Sequence, residues 1–273
     1  MLHASHTKQI RTCVLAFALL TLSAIPALAG PPLITDDAGT VDVGKVEAEL
    51  NGSYVHDRET VRNGTLSRNA TDAEAKISTG IARDLGISLT VPYSFNNRQE
   101  LNGELNGTAE GFGDMTLELK YVFLELDGTR FAIKPSLIIP SGRYGAGLSE
   151  GRWQLGSTLI ATREFDEGKY ALHANLGYEH HDYRTDEARA GSRSDLWSAS
   201  VAGEAKLLPR LTAVADLGVA RAVDATTTEP AAYALVGVRY ELSSLIDLDA
   251  GVKFGLTRPE DDVTALYGIV LKF

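Results

Sequence analysis

Apolar and polar residues alternate with period two along most of the chain, in stretches of about ten residues separated by turn residues. That is the mark of β-strands with two unlike faces. The clearest stretch is Val263 to Phe273: Val263, Ala265, Tyr267, Ile269, Leu271 and Phe273 fall on one face, and Thr264, Gly268 and Lys272 on the other. The same unit recurs twelve times, as in Val46-Ala48-Leu50-Tyr54, Ile87-Leu89-Val91-Tyr93-Phe95, Met115-Leu117-Leu119-Tyr121-Phe123 and Ile246-Leu248-Ala250-Val252-Phe254. Each series gives a strand with one apolar side.

The links between these units alternate in length. Short ones fall at Ala82 to Leu85, Leu124 to Thr129, Glu164 to Gly168, Leu208 to Pro209 and Glu241 to Leu245. Long polar ones fall at His56 to Ala70, Asn96 to Gly113, Ser141 to Gly151, His181 to Ser194, Ala222 to Pro230 and Thr257 to Asp262. Strict alternation with an even strand count predicts an all-β, antiparallel up-and-down β-barrel of twelve transmembrane strands, with both termini on the short-turn, periplasmic side. Aromatic residues sort accordingly. Tyr54, Tyr93, Phe95, Trp153, Tyr178, Trp197 and Phe254 lie at loop-side ends of outward faces, and Tyr121, Phe123, Phe131, Tyr170, Tyr240 and Phe273 at turn-side ends, as two interfacial belts require. Tyr267 breaks this order. Pro92 and Pro135, inside predicted strands, each remove a ladder donor, so a bulge or local break is expected near both.

The N-terminus reads as a cleavable leader over residues 1–29. Lys8 and Arg11 precede the apolar run Val14 to Ala24, and Ala27-Leu28-Ala29 is a small-residue cleavage site. Cutting before Gly30 removes two cations and no anion, taking the formal charge from −10 to −12, and leaves a chain without cysteine. Disulfides and thiolate metal sites are thereby excluded, and the acidity argues against nucleic acid as a partner. A mean hydropathy of −0.06 suits a barrel with one lipid face and one wet face. The predicted localisation is the outer membrane of a Gram-negative cell, with outer-membrane lipid around the strands.

The inward faces carry the candidate chemistry. Lumen-lining candidates are Glu49, Glu74, Lys76, Glu118, Lys120, Lys134, His173, Glu204, Asp216, Tyr233, Arg239, Asp249 and Lys253. Over all inward positions acids outnumber bases ten to seven. Cross-strand pairing is the first expectation for such charges, and unmatched ones would line a narrow path. Twelve strands lie between the roughly eight that packed side chains fill and the roughly sixteen that leave an open water channel, which predicts a narrow or partly plugged passage. The last four strands present an inward wall of small and apolar residues, Gly218, Leu235, Gly237, Gly251 and Leu266 among them, beside the charged wall of the first four. Residues 30–45 form a periplasmic segment, and Pro31 to Val43 is available to enter the barrel as a plug against that wall.

In "PPLITDDAGTVDVGKVEAEL", "GFGDMTLELKYVFLE" and "KPSLIIPSGRYGAGLSEG" the chain resembles the outer-membrane family labelled putative MetA-pathway of phenol degradation. The resemblance covers nearly all of the mature chain and implies a β-barrel moving phenol-type aromatics, with no catalytic residues to carry over. Thr35, Asp36 and Asp37 match its most recognisable stretch. Adjacent Asp residues before Gly39 read first as an Asx-type turn, with a plug or gate role as the alternative. The stretch Val263 to Phe273 also resembles the closing strand of bacterial outer-membrane β-barrels, which implies that a terminal Phe on the lipid side, here Phe273, is part of the signal read by the barrel-assembly machinery.

The functional expectation is a channel for passive passage of small-molecule solutes, without cofactor, metal or catalytic residue. A closed structural or surface-binding barrel is the rival from another class. An outer-membrane lipid-modifying enzyme is the second rival, resting on His180 and His181 near Ser192, Ser194 and Ser198.

Overall fold

In a computed structural model the structure describes residues 30–61 and 64–273. The predicted leader lies outside the described residues. Thirteen strands form one sheet: β1 (Val46–Val61), β2 (Gly64–Ala82), β3 (Leu85–Leu101), β4 (Glu104–Phe112), β5 (Met115–Leu126), β6 (Thr129–Ile139), β7 (Gln154–Phe165), β8 (Tyr170–His180), β9 (Asp195–Leu208), β10 (Leu211–Ala220), β11 (Ala231–Ser243), β12 (Ile246–Gly255) and β13 (Val263–Lys272). All pairings are antiparallel between neighbours. β2 pairs with both β1 and β3, and β1 with β13, so twelve strands close into a barrel. β4 stands outside that ring as a hairpin partner of β3.

The outward faces are as apolar as the alternation requires. Leu155 is 61% exposed, Leu176 63% and Val236 57%, in rows that run around the whole wall. So much continuous exposed apolar surface is tolerable only against an apolar solvent. No helix among the described residues is long and apolar enough to cross a membrane. The terminal residue helps close the ring: Phe273 N donates to Val46 O at 2.8 Å, and Val46 N donates to Phe273 O at 3.3 Å. Tyr267, misplaced for a belt, has a local reason. It pairs with Gly52, and its ring occupies the space above that glycine where a Cβ would stand, so the aromatic covers ladder that the glycine leaves bare.

Two segments read as long polar links are strand. β1 and β2 continue in register to Val61↔Gly64, and β3 and β4 to Leu101↔Glu104. Here both faces meet water, so the apolar period vanishes while the backbone ladder continues. The turn Asn102-Gly103, with φ of +54° and +82°, is an Asn-Gly hairpin that the sequence did carry. The link at Ser141–Gly151 holds a single 3-10 turn, Tyr144–Ala146, and that at His181–Ser194 a short helix, α1 (Asp186–Gly191), capped by the Thr185 side chain accepting from Ala188 N at 3.2 Å.

Both prolines sit at interruptions. β5 pairs with β3 only up to Thr90↔Thr116, and β4 takes over from Tyr93↔Phe112, so Pro92 occupies the changeover, its carbonyl accepting from Gly113 N at 3.1 Å. The β5–β6 ladder breaks off between Glu118↔Ser136 and Tyr121↔Ile133, opposite Pro135, while Pro135 stays paired to Ser157 on β7.

Candidate functional site

Residues 30–43 run inside the barrel. Val43 forms a parallel bridge to Gly80 near the turn end of β2, and Gly44 N donates to Gly80 O at 3.3 Å, which aims the preceding chain into the lumen. Gly44 has φ of +78°, a left-handed conformation that suits glycine at this bend. From there the segment crosses to the far wall. Ala38 N donates to Thr162 Oγ1 on β7 at 2.8 Å. Asp216 on β10 accepts from Ile34 N at 2.9 Å and from Thr35 N at 2.8 Å, and its second oxygen accepts from the Thr35 hydroxyl at 2.7 Å. Turned to suit its neighbours, the Asn175 amide on β8 bonds both the carbonyl and the N–H of Asp36, at 2.9 and 2.7 Å. A buried segment without secondary structure must find partners for its backbone, and the lumen side chains supply them.

The apolar wall receives Pro32. A Cβ on Gly237 would stand 2.6 Å from Pro32 Cγ, and one on Gly251 2.9 Å from Pro32 Cβ, so the paired glycines leave the slot into which the ring fits. Ala38, Ala132 and Ile160 form the buried apolar cluster of the lumen.

Charge fixes the middle of the segment. Asp36 lies 2.8 Å from Lys120 on β5 and 2.9 Å from Lys134 on β6; Lys120 also donates to Asp37 O at 2.9 Å. Burial alone would raise both carboxyls. For Asp36 the ammonium groups of Lys120, Lys134 and Lys76 outweigh burial, and the acid is held well below the ordinary carboxylate range. Asp37 goes the other way. Burial dominates despite Lys120, and the Asp36 carboxylate adds to it, so its proton is held to higher pH. Its carboxylate accepts from Gly39 N, the Asx-type turn that adjacent aspartates suggest.

Most sequence-nominated lumen residues gather around this segment. Lys134 also pairs with Glu118 at 2.9 Å, and Lys76 with Glu49 at 3.1 Å. Glu74 accepts from the Asn51 amide at 3.1 Å. His173 shares a 3.0 Å hydrogen bond with Thr162 and lies 3.6 Å from Glu204, which accepts from Arg239 at 2.6 Å. Tyr233 donates to Asp216 at 3.2 Å, its ring lying over Gly218. Lys253 lies apart, pairing with Glu260 in the last long loop. Asp249 makes no hydrogen bond among the described residues. Reading the inward charges missed the uncharged seats Thr162, Asn175 and Ser200, the last with its hydroxyl 2.7 Å from that of Thr35, although their alternation placed them on the inner face.

Between the segment and the charged wall of β1–β3, β5, β6 and β11–β13 lies a chamber of about 530 Å³. Both histidines of the enzyme reading bond acids. His180 Nδ1 bonds Asp195 at 3.0 Å, and His181 Nε2 bonds Glu179 at 2.8 Å.

A closed antiparallel barrel whose N-terminal stretch "PPLITDDAG" is packed inside it is also the region where family similarity begins. The model of the family described as "Putative MetA-pathway of phenol degradation" matches residues 32–273. The chain belongs to that family. Among solved structures it is similar to the COG4313 outer membrane channel from Pseudomonas putida F1, at 15% identity and a TM-score of 0.70, covering 90% of this chain and 100% of that one. It is also similar to the NanC porin, at 12% identity and a TM-score of 0.57 over 83% of this chain and 100% of that one. The KdgM porin follows at 12% identity and a TM-score of 0.50, over 82% and 99%. At these identities the likeness concerns the fold. No curated protein matches the chain.

Proposed function

We propose that this member of the phenol-degradation family is a channel of the Gram-negative outer membrane, letting small molecules pass down their gradient. Phenol-type and other small aromatic compounds are its candidate solutes. Both termini would face the periplasm, and the strand ending in Phe273 would be read by the barrel-assembly machinery. The observation that carries this reading is the chamber of about 530 Å³ left inside a barrel whose outer wall is apolar. That volume is in the range of small-molecule pockets. The charged wall on one side and the N-terminal segment on the other, with Pro31, Pro32, Leu33 and Ile34, give a solute with polar and apolar parts a surface for each. The family description and the likeness to a barrel named as an outer membrane channel support the same reading.

The rival of a closed structural barrel draws on a specific observation too: residues 34–38 are bonded to six consecutive strands, β5 to β10. The two readings part in one experiment. Liposomes containing the purified, folded protein should take up phenol faster than empty ones, and planar bilayers should show discrete currents. A correctly folded protein that does neither is a closed barrel. For the lipid-enzyme reading, hydrolysis of outer-membrane lipid that vanishes on replacing His180 and His181 would be needed.

A further inference from the structure

The chamber holds an acid surplus that the barrel does not neutralise. Nine carboxylates and five cationic side chains line it among the described residues. Those cations are engaged: Lys76 with Glu49, Lys272 with Asp247, Lys120 and Lys134 with Asp36, and Arg239 with Glu204. Asp249 is left over. It is only 7% exposed, and neither carboxylate oxygen has a hydrogen-bond partner among the described residues. Arg239, opposite it in the ladder, gives Nη2 to Glu204, and its buried Nη1 reaches neither Asp249 oxygen for a hydrogen bond.

A second acceptor converges on the same place. Asn51 gives its amide nitrogen to Glu74, which leaves its Oδ1 buried and also without a partner. Gly268 on β13 pairs with Asn51 on one side and Asp249 on the other. A Cβ there would stand 2.5 Å from Asn51 Oδ1 and 2.5 and 3.0 Å from the two Asp249 oxygens. Glycine therefore keeps open the spot where acceptors from two strands meet with no donor between them. Buried acceptors left so are costly until a donor meets them, and beside a carboxylate in an acid-rich wall a cation is the favoured one. The donors are all hard oxygens, which suit hard cations. One carboxylate and one amide are too few to strip and hold a dication. Nor is there, among the described residues, a group of three His, Cys, Asp or Glu able to hold a metal.

We infer that Asp249 and the Asn51 carbonyl, meeting over Gly268, form a binding station for a small monovalent cation, potassium, sodium or a primary ammonium, and bias the lumen toward cations. The station itself needs only the chamber; the bias rests on the channel reading above. Reversal potentials in planar bilayers under a KCl gradient at low ionic strength read the bias directly. Potassium should be favoured over chloride by roughly ten-fold, the low end for a cleft lined by one sign of charge. Asp249→Asn should remove most of that preference, and Asn51→Asp should increase it. An unselective or anion-selective wild type, or a preference that survives Asp249→Asn unchanged, overturns the inference. Thermal unfolding in detergent, in KCl against tetraethylammonium chloride at equal ionic strength, reads binding without passage. Potassium should raise the midpoint of the wild type and not of Asp249→Asn, nor of Gly268→Ala, whose methyl fills the site without changing its charge. If no current flows at all, the channel reading fails and this second measurement decides the station alone. Equal midpoints in the two salts would then sink it.

Discussion

Asp36 presents one oxygen to Lys120 and the other to Lys134, at 2.8 and 2.9 Å, so a single carboxylate ties the N-terminal segment to two adjacent strands. All three side chains are less than a fifth exposed. Asp36→Asn would leave two ammonium groups largely buried with one neutral neighbour in place of an anion. Losing one partner of a buried ionic cluster costs about 3 kcal/mol, enough to release the segment from the wall while the barrel's ladders stay whole. The expected result is a larger single-channel conductance with unchanged heat-modifiable migration on gels.

Gly251→Ala tests the same docking without touching charge. The new methyl would meet Pro32 at 2.9 Å, closer than packed atoms allow, so the proline ring must leave its slot. The variant should raise conductance as Asp36→Asn does. Limited proteolysis of folded protein should cut within residues 30–43 in both variants and not in the wild type.

Docking should also respond to pH, with opposite signs at the two aspartates. Asp37 is raised above its ordinary 3.8, so its contribution to docking is whole at acid pH and falls away as pH rises through the raised value. Asp36 is lowered, so its contribution is whole above 3.8 and is lost only as pH falls well below that. Above 3.8 Asp36 keeps its charge, so of the two it is Asp37 that changes as pH rises through its raised value, and the segment should loosen there. Conductance should therefore increase as pH rises through the raised Asp37 value, and Asp37→Asn should flatten that dependence. A wild-type conductance that is unchanged or falls over the same range would contradict it.

Removing Phe273 would delete two backbone hydrogen bonds to Val46 at the seam where the ring closes. Each is worth about 1 kcal/mol net. The truncated chain should yield less folded, heat-modifiable protein both in cells and on refolding into vesicles. A deficit confined to cells would assign the residue to recognition by the assembly machinery instead of to the seam.

How much of this was legible in the sequence differs from part to part. The twelve barrel strands and their outer faces were, because surrounding apolar solvent forces Leu155, Leu176 and Val236 onto one side and leaves a strict period of two. The water-exposed ends of β1 to β4 were not, since nothing penalises polar residues on either side there; only Asn102-Gly103 marked the turn. Lumen charges such as Lys134 and Glu118 could be nominated from alternation. Their pairing depends on register across strands and on the path of residues 30–43, which no periodicity records. Hence Asp36 was named while Asn175, which seats its backbone, and Thr162, which seats Ala38, were not, and Asp249 gave no sign that both its oxygens would be left without a hydrogen bond.

β4 carries a consequence of its own. Closure of the ring removes every free strand margin at the depth of the apolar belt, yet among the described residues Glu104–Phe112 pair with β3 alone. The molecule thus re-creates in water the raw hydrogen-bonding fringe that it abolished in lipid. Glu104 and Glu110, with glycines at 107 and 111, are what stand between that fringe and a passing extended peptide.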